Sequence, residues 1–175
     1  MRILSGEEEK EARYYMEEAA KMAVNSPCFK SHCGSVVVKN RRIIGRGYNS
    51  PPRGGKITSC IKDCIPKDFE SDRHCCLHAE QRAIMDVFRN WPEKIYDARL
   101  YFIRLNANNE KMFAGRPYCT ICSKMALDSG ISEFGLWHEE GICVYGTEEY
   151  NKFSFGLIDW EEEMKKLAEQ VRKKL

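Results

Sequence analysis

His78-Ala79-Glu80 and Cys119-Thr120-Ile121-Cys122 are the two stretches of sequence on which the prediction of the fold depends. One imidazole and two thiolates suit Zn²⁺, and three protein ligands leave the fourth tetrahedral position open for water. An open position is typical of a catalytic zinc, because the metal brings the pKa of bound water close to neutral. Glu80 follows His78 closely enough to carry protons at that water. The residues therefore predict a zinc site with His78, Cys119 and Cys122 as ligands and Glu80 as the acid–base residue.

Each half of this pattern also has a simpler interpretation. Cys-x-x-Cys alone is typical of a structural zinc site or a redox dithiol. Glu80 alone is typical of a carboxylate that the helix dipole stabilises in the first turn of a helix. The combination favours catalysis, because a structural site needs no acid–base residue. A zinc-stapled binding module without catalytic activity is the alternative.

The surrounding sequence predicts an α/β fold in one domain, residues 1–175. Periodicity and turn residues predict the order helix, two hairpin strands, helix, strand, helix, two strands and a final helix. The expected helices are 7–24, 78–90, 120–129 and 159–175, and the expected strands are 35–38, 43–48, 99–105, 131–137 and 141–145. Residues 49–76, rich in proline, glycine and cysteine, interrupt this order as an insertion. We expect a mixed five-stranded sheet with helices on both faces and both ligand groups at helix starts.

The paired motifs resemble the signature of the zinc nucleobase deaminases, His-x-Glu followed by Pro-Cys-x-x-Cys. Here the proline is Pro117, one residue early, and Tyr118 stands next to the ligand Cys119. Over residues 10–145 the chain resembles the cytidine and deoxycytidylate deaminase superfamily. That resemblance implies a three-layer α/β/α fold and hydrolytic removal of an amino group, at C4 in a cytosine ring.

The resemblance also implies substrate contacts. Gly47-Tyr48-Asn49 resembles a stretch of the deoxycytidylate deaminases whose asparagine contacts the sugar, and Ala79 and Tyr118 flank the ligands. We therefore expect Asn49, Ala79 and Tyr118 to bind substrate. A pyrimidine nucleotide is favoured, dCMP above all, with water converting it to dUMP and ammonia. The alternatives within the same chemistry are cytidine, a free base such as guanine, and adenosine in tRNA.

The insertion raises the question of a second, structural zinc. Its ligands would come from Cys60, Cys64, His74 and Cys75. The other interpretation is buried free thiols, which pack as small hydrophobic side chains.

Composition limits the partners. A net charge of +2 offers little surface for polynucleotide or membrane, and we expect neither. The nine cysteines and a start that is not typical of a signal peptide suggest a cytoplasmic protein. Related deaminases assemble, so the resemblance implies a homo-oligomer, a dimer or larger. His138, beside two glutamates, is expected at a surface strand end.

Overall fold

A computed structural model describes residues 1–55, 58–60 and 76–172. Within these ranges the chain forms helices and a single sheet. The helices are α1 (Gly6–Ala23), α2 (Ala79–Asn90), α3 (Thr120–Asp128), α4 (Thr147–Ser154) and α5 (Trp160–Arg172). The strands are β1 (Arg2–Ile3), β2 (His32–Lys39), β3 (Arg42–Tyr48), β4 (Arg99–Leu105), β5 (Lys111–Met112), β6 (Glu133–His138) and β7 (Gly141–Gly146).

The sheet is mixed, as predicted. Its strand order is β1-β7-β6-β4-β2-β3, with β5 paired to the end of β4. Strands β4 and β6 are parallel, and the other neighbouring pairs are antiparallel. A parallel pair needs a crossover connection. Here that connection contains α3, which brings the Cys-x-x-Cys stretch over one face of the sheet.

Helices cover both faces of the sheet. Alternate side chains of a strand point to opposite faces. On β2, Val36 and Val38 pack with α1, whereas Val37 packs with residues of α2. The core on the α2 face also takes in side chains of α3, α4 and α5. The predicted three-layer α/β/α class is confirmed.

The hairpin β2–β3 turns where the sequence predicts it. Lys39 pairs with Arg42, so Asn40 and Arg41 form a two-residue loop. Their φ angles are 49° and 61°. Two positive φ angles are the signature of a type I′ turn, whose twist matches that of the flanking strands.

Helix α2 lies unusually close to β3. A Cβ atom added to Gly47 would lie 2.3 Å from the Ala79 carbonyl oxygen and 2.5 Å from the Ala83 nitrogen. Gly47 therefore lets the first turn of α2 rest directly on the strand. This contact sets the height of the residues at the start of α2 above the sheet.

The structure differs from the sequence prediction in its smaller elements. Five strands of six or more residues match the predicted number, and β1 and β5 add two residues each. Helix α4 was not predicted. It packs Tyr150 and Phe153 into the core that α2 and α3 share.

None of the helices in the described part of the chain combines the length and apolar character that crossing a bilayer requires.

Candidate functional site

His78 and Glu80 are positioned by the start of α2. His78 is the residue before the helix, with extended backbone, and its N–H donates to the Gln81 side-chain oxygen at 2.9 Å. Ala79 and Glu80 are the first two helical residues. Because the hydrogen bond fixes the turn into the helix, the imidazole and the carboxylate are held by the same rigid element.

Cys119 and Cys122 are positioned in the same way by the start of α3. Cys119 precedes the helix, and its sulfur accepts a hydrogen bond from the Cys122 N–H at 3.3 Å. The first N–H groups of a helix lack partners within it and carry partial positive charge. This end of α3 therefore stabilises negative charge on the Cys119 sulfur.

The structure brings the two helix starts together. The Nδ1 atom of His78 lies 3.3 Å from the sulfur of Cys119 and 3.3 Å from that of Cys122. Their candidate ligand atoms all lie within 4.8 Å of one another. In residues 1–55, 58–60 and 76–172, no fourth His, Cys, Asp or Glu joins the group. One nitrogen and two sulfur donors fit Zn²⁺ with one position left for another ligand.

The two thiols are electrostatically coupled. The pKa of Cys119 is lowered to about 4, chiefly by a hydrogen bond from the Cys122 thiol and also by His78. The same hydrogen bond, together with burial, raises the pKa of Cys122. Cys119 is therefore the more readily ionised of the two thiols. Metal binding to such a site releases protons, because the ligand is the thiolate.

Glu80 is buried beside this group. Only 6% of the residue is exposed, and burial raises the pKa of its carboxyl group. A carboxyl group that holds a proton more readily than usual is suited to both accepting and donating one near neutral pH.

The group opens into a cavity of about 440 Å³. All three residues that the sequence suggests as substrate contacts line it: Asn49, Ala79 and Tyr118. Ala79 is buried, whereas Tyr118 is 67% exposed at the mouth. The size suits a small heterocyclic ligand, since pockets for small molecules span roughly 300–1,000 Å³.

Asn49 has a structural task that the sequence did not predict. Its Oδ1 accepts a hydrogen bond from the Cys33 N–H at 2.7 Å, and its Nδ2 donates to the Ser31 carbonyl at 3.1 Å. The side chain thus holds the segment that enters β2 against the end of β3. One amide hydrogen and one lone pair remain for another partner.

Sequence reasoning missed the basic side of the cavity. Arg104 on β4 and Arg116 in the loop before α3 both line it. Within the described ranges, the buried Nε of Arg104 has no hydrogen-bond partner. Arg104 follows Phe102 at the strand period of two, so both side chains face the cavity. That alternation was the available signal.

The second metal group falls largely outside the described residues. Cys60 is buried and lines the cavity. Cys64, His74 and Cys75 lie outside the ranges that the structure describes, so a second zinc stays a prediction.

The prediction for His138 was wrong. The residue is 2% exposed, and its ring contacts the side chains of Tyr145 and Trp160. Trp160 of helix α5 covers the ring at the end of β6. The two glutamates next to His138 in the sequence do not predict this contact.

A family model described as the cytidine and deoxycytidylate deaminase zinc-binding region matches residues 9–136. The match includes the candidate metal group, Glu80 and most of the cavity wall. The predicted zinc dependence agrees with the family's description as a zinc-binding region.

Curated relatives carry the same name. The chain is 32% identical over 127 residues to a deoxycytidylate deaminase of Schizosaccharomyces pombe, which covers 69% of this chain and 34% of the yeast protein. It is 32% identical over 126 residues to the deoxycytidylate deaminase of Mycobacterium phage D29, covering 67% of this chain and 87% of the phage protein. The match thus spans about a third of the yeast relative and most of the phage relative.

A solved structure has the same fold. The dCMP deaminase of the cyanophage S-TIM5, in complex with dCMP and dUMP, superposes with a TM-score of 0.52 at 26% identity. The match covers 75% of this chain and 82% of the phage chain. Because the family model spans more than half of the sequence, together with its metal group, the chain belongs to the cytidine and deoxycytidylate deaminase family.

Proposed function

We propose that this chain is a zinc-dependent hydrolase that converts dCMP and water to dUMP and ammonia. One observation carries the proposal: three zinc-type ligands lie within 4.8 Å of one another beside the buried Glu80, in a cavity that fits a small ligand. The yeast and phage relatives named deoxycytidylate deaminase support this choice of substrate.

In this proposal, His78, Cys119 and Cys122 hold the metal. When bound, zinc supplies a Lewis acid that makes water acidic near neutral pH. Glu80 carries the protons. Its carboxylate accepts a proton from water and passes it to the ring nitrogen as the remaining hydroxide bonds to C4 of the pyrimidine. It then accepts the proton of the new C4 hydroxyl and passes it to the amino group, so that the C4–N bond breaks to leave a carbonyl and ammonia.

The wall of the cavity orients the base. The N–H groups in the first turn of a helix have no acceptor within the helix. Ala79 is the first residue of α2 and lines the cavity, so we assign its N–H to a carbonyl oxygen of the base. Asn49 offers its remaining amide hydrogen to the sugar, and Tyr118 closes the mouth.

The basic side of the cavity supports a nucleotide rather than a nucleoside or a free base. A guanidinium group matches the geometry of a phosphate and forms charge-assisted hydrogen bonds with it. Arg104 has a buried Nε without a partner in the described part of the chain, and Arg116 lines the same cavity. In this proposal, both guanidinium groups meet the 5′-phosphate of the nucleotide.

Ammonia release over a substrate panel tests this proposal. The panel contains dCMP, deoxycytidine, cytidine, guanine, adenosine and a tRNA, each with the zinc-loaded chain. We expect the highest kcat/KM for dCMP. Activity confined to a free base or to tRNA would contradict the choice of substrate, and no ammonia from any compound would favour a binding module.

Arg104→Gln sharpens the test. A hydrogen bond to a charged group contributes about 1.5–3 kcal/mol, so KM for dCMP should rise by roughly tenfold or more. KM for deoxycytidine, which lacks the phosphate, should stay unchanged. Arg13→Gln, on the exposed face of α1, is the matched control. Equal effects on both substrates would contradict a phosphate contact.

Three features belong to the proposal as predictions: a single domain over residues 1–175, a homo-oligomeric state and a cytoplasmic location. Sedimentation at several concentrations would test the second.

A further inference from the structure

A buried hydrogen-bonded chain lies behind the cavity wall. His138 at the end of β6 is 2% exposed. Its Nδ1 lies 3.0 Å from the Ala114 carbonyl oxygen, and its Nε2 lies 2.8 Å from the Tyr145 hydroxyl. A carbonyl oxygen can only accept, so Nδ1 carries the hydrogen. Burial lowers the pKa of His138, which favours the neutral ring. Nε2 is then an acceptor, and the Tyr145 hydroxyl donates to it at 2.8 Å rather than to the Met164 sulfur, which lies 3.9 Å away.

This series of hydrogen bonds continues into α5. Trp160, the first residue of that helix, donates its Nε1–H to the Tyr145 hydroxyl oxygen at 3.0 Å. The three hydrogen bonds all run in the same direction. Trp160 donates to Tyr145, Tyr145 donates to His138, and His138 donates to Ala114. Three hydrogen bonds therefore connect the C-terminal helix to a single backbone carbonyl.

Ala114 lies in the segment that forms one wall of the cavity, residues 113–118, which we call the wall segment. Ala114, Arg116 and Tyr118 line the cavity, and the ligand Cys119 follows directly. The Ala114 N–H donates to the Trp137 carbonyl at 2.7 Å. With its carbonyl bound by His138, both backbone groups of Ala114 are tied to the end of β6. Ala114 is thus the anchor of the wall segment.

We propose that His138 is a positioning residue, which fixes the wall segment through Ala114 and thereby couples helix α5 to substrate binding. Its contribution to substrate binding rests on the proposed function. His138 lies behind the wall and touches no reacting atom. Its loss should therefore weaken substrate binding more than it slows the chemical step.

Two variants at one position separate positioning from stability. His138→Leu removes the donor to Ala114, whereas His138→Asn keeps an N–H close to the place of Nδ1. A typical hydrogen bond corresponds to about three- to tenfold in an equilibrium constant, so His138→Leu should raise KM for dCMP by that factor with kcat nearly unchanged. His138→Asn should restore most of the wild-type KM. If folded His138→Leu has the wild-type KM, or if both variants lose binding equally, the proposal is overturned.

A second test needs no activity and no variant at His138. Tyr145→Phe removes the hydroxyl but keeps the ring, and the exposed Tyr96→Phe is its matched control. Hydrogen–deuterium exchange of the peptide covering residues 113–118 should become faster in Tyr145→Phe and not in Tyr96→Phe. NMR of the His138 ring in the wild type should find the proton on Nδ1. Unchanged exchange, or a proton on Nε2, would overturn the proposal whichever substrate the enzyme takes.

Discussion

Replacing Gly47 by alanine should disturb catalysis from outside the cavity. The added Cβ would lie 2.3 Å from the Ala79 carbonyl oxygen and 2.5 Å from the Ala83 nitrogen, where ordinary contacts lie at 3.4–4 Å. Both obstacles are backbone atoms, which cannot rotate away. The first turn of α2 must therefore move by roughly 1 Å, and it carries His78 and Glu80 with it. A misplacement of about 1 Å can cost about 10²-fold in rate.

The assay for this variant is kcat/KM for dCMP, measured with zinc content and thermal unfolding. We expect Gly47→Ala to lower kcat/KM by about 10²-fold and to destabilise the fold by about 1–3 kcal/mol, the usual range for overpacking. Gly146→Ala, with nothing within 4 Å of its added Cβ, should match the wild type. Gly45→Ala would push on the middle of α2, at Ala83 and Val87, and should destabilise similarly with a smaller loss of activity.

Comparing Gly47→Ala with Gly45→Ala tests whether the position of α2 sets the geometry of the site. If folded Gly47→Ala keeps the wild-type kcat/KM, then the height of α2 above β3 does not set the geometry of the site. If Gly45→Ala and Gly47→Ala lose activity in proportion to stability, the effect is general destabilisation, and the reasoning is refuted.

Two further predictions concern pH and metal content. Burial lowers the pKa of His138, which faces Tyr145 and Glu140, so the folded protein resists its protonation while the unfolded chain accepts a proton near pH 6.5. The contribution of His138 to the free energy of unfolding is therefore complete above about pH 6.5 and is lost as pH falls. Between pH 7.5 and 5.5, the free energy of unfolding in urea should fall more steeply for the wild type than for His138→Asn. Equal falls in the two proteins would contradict this. If the insertion holds a second zinc, metal analysis should find two equivalents in the wild type and one in the Cys60→Ser/Cys64→Ser double variant; one equivalent in fully loaded wild type would rule the second zinc out.

The fold and the candidate metal group were predictable from sequence because their signals are local. His78 and Cys119 each stand immediately before a helix, and the ligand types themselves limit the metal. The run of β-branched residues in β2, Val36-Val37-Val38, and the turn at residues 40–41 likewise depend on neighbouring residues. Topology then brings two local motifs together, and the family resemblance supplied that step.

All of the misses except helix α4 have a common physical cause, since they depend on contacts between distant segments. Arg104 is the second-to-last residue of β4, and the alternation of that strand gives the face of the sheet but not the cavity above it. His138 stands beside glutamates, yet α5 packs over its ring. Helix α4 had a local signal, an acidic first turn at Thr147-Glu148-Glu149, which was overlooked. Asn49 was expected at the substrate, and its hydrogen bonds to the segment entering β2 could not be read from a turn-like sequence.

The central claim is that Glu80 carries protons at a zinc site held by His78, Cys119 and Cys122. Glu80→Gln keeps the size of the side chain and all three ligands but removes the proton carrier. One sample of this variant should be measured for both zinc content and dCMP turnover. We predict one equivalent of zinc at the site, as in the wild type, and a kcat lowered by at least about 10²–10⁴-fold, the usual contribution of a general acid–base group. Near-normal kcat with zinc in place would contradict the account and leave Glu80 as a residue of the helix start alone.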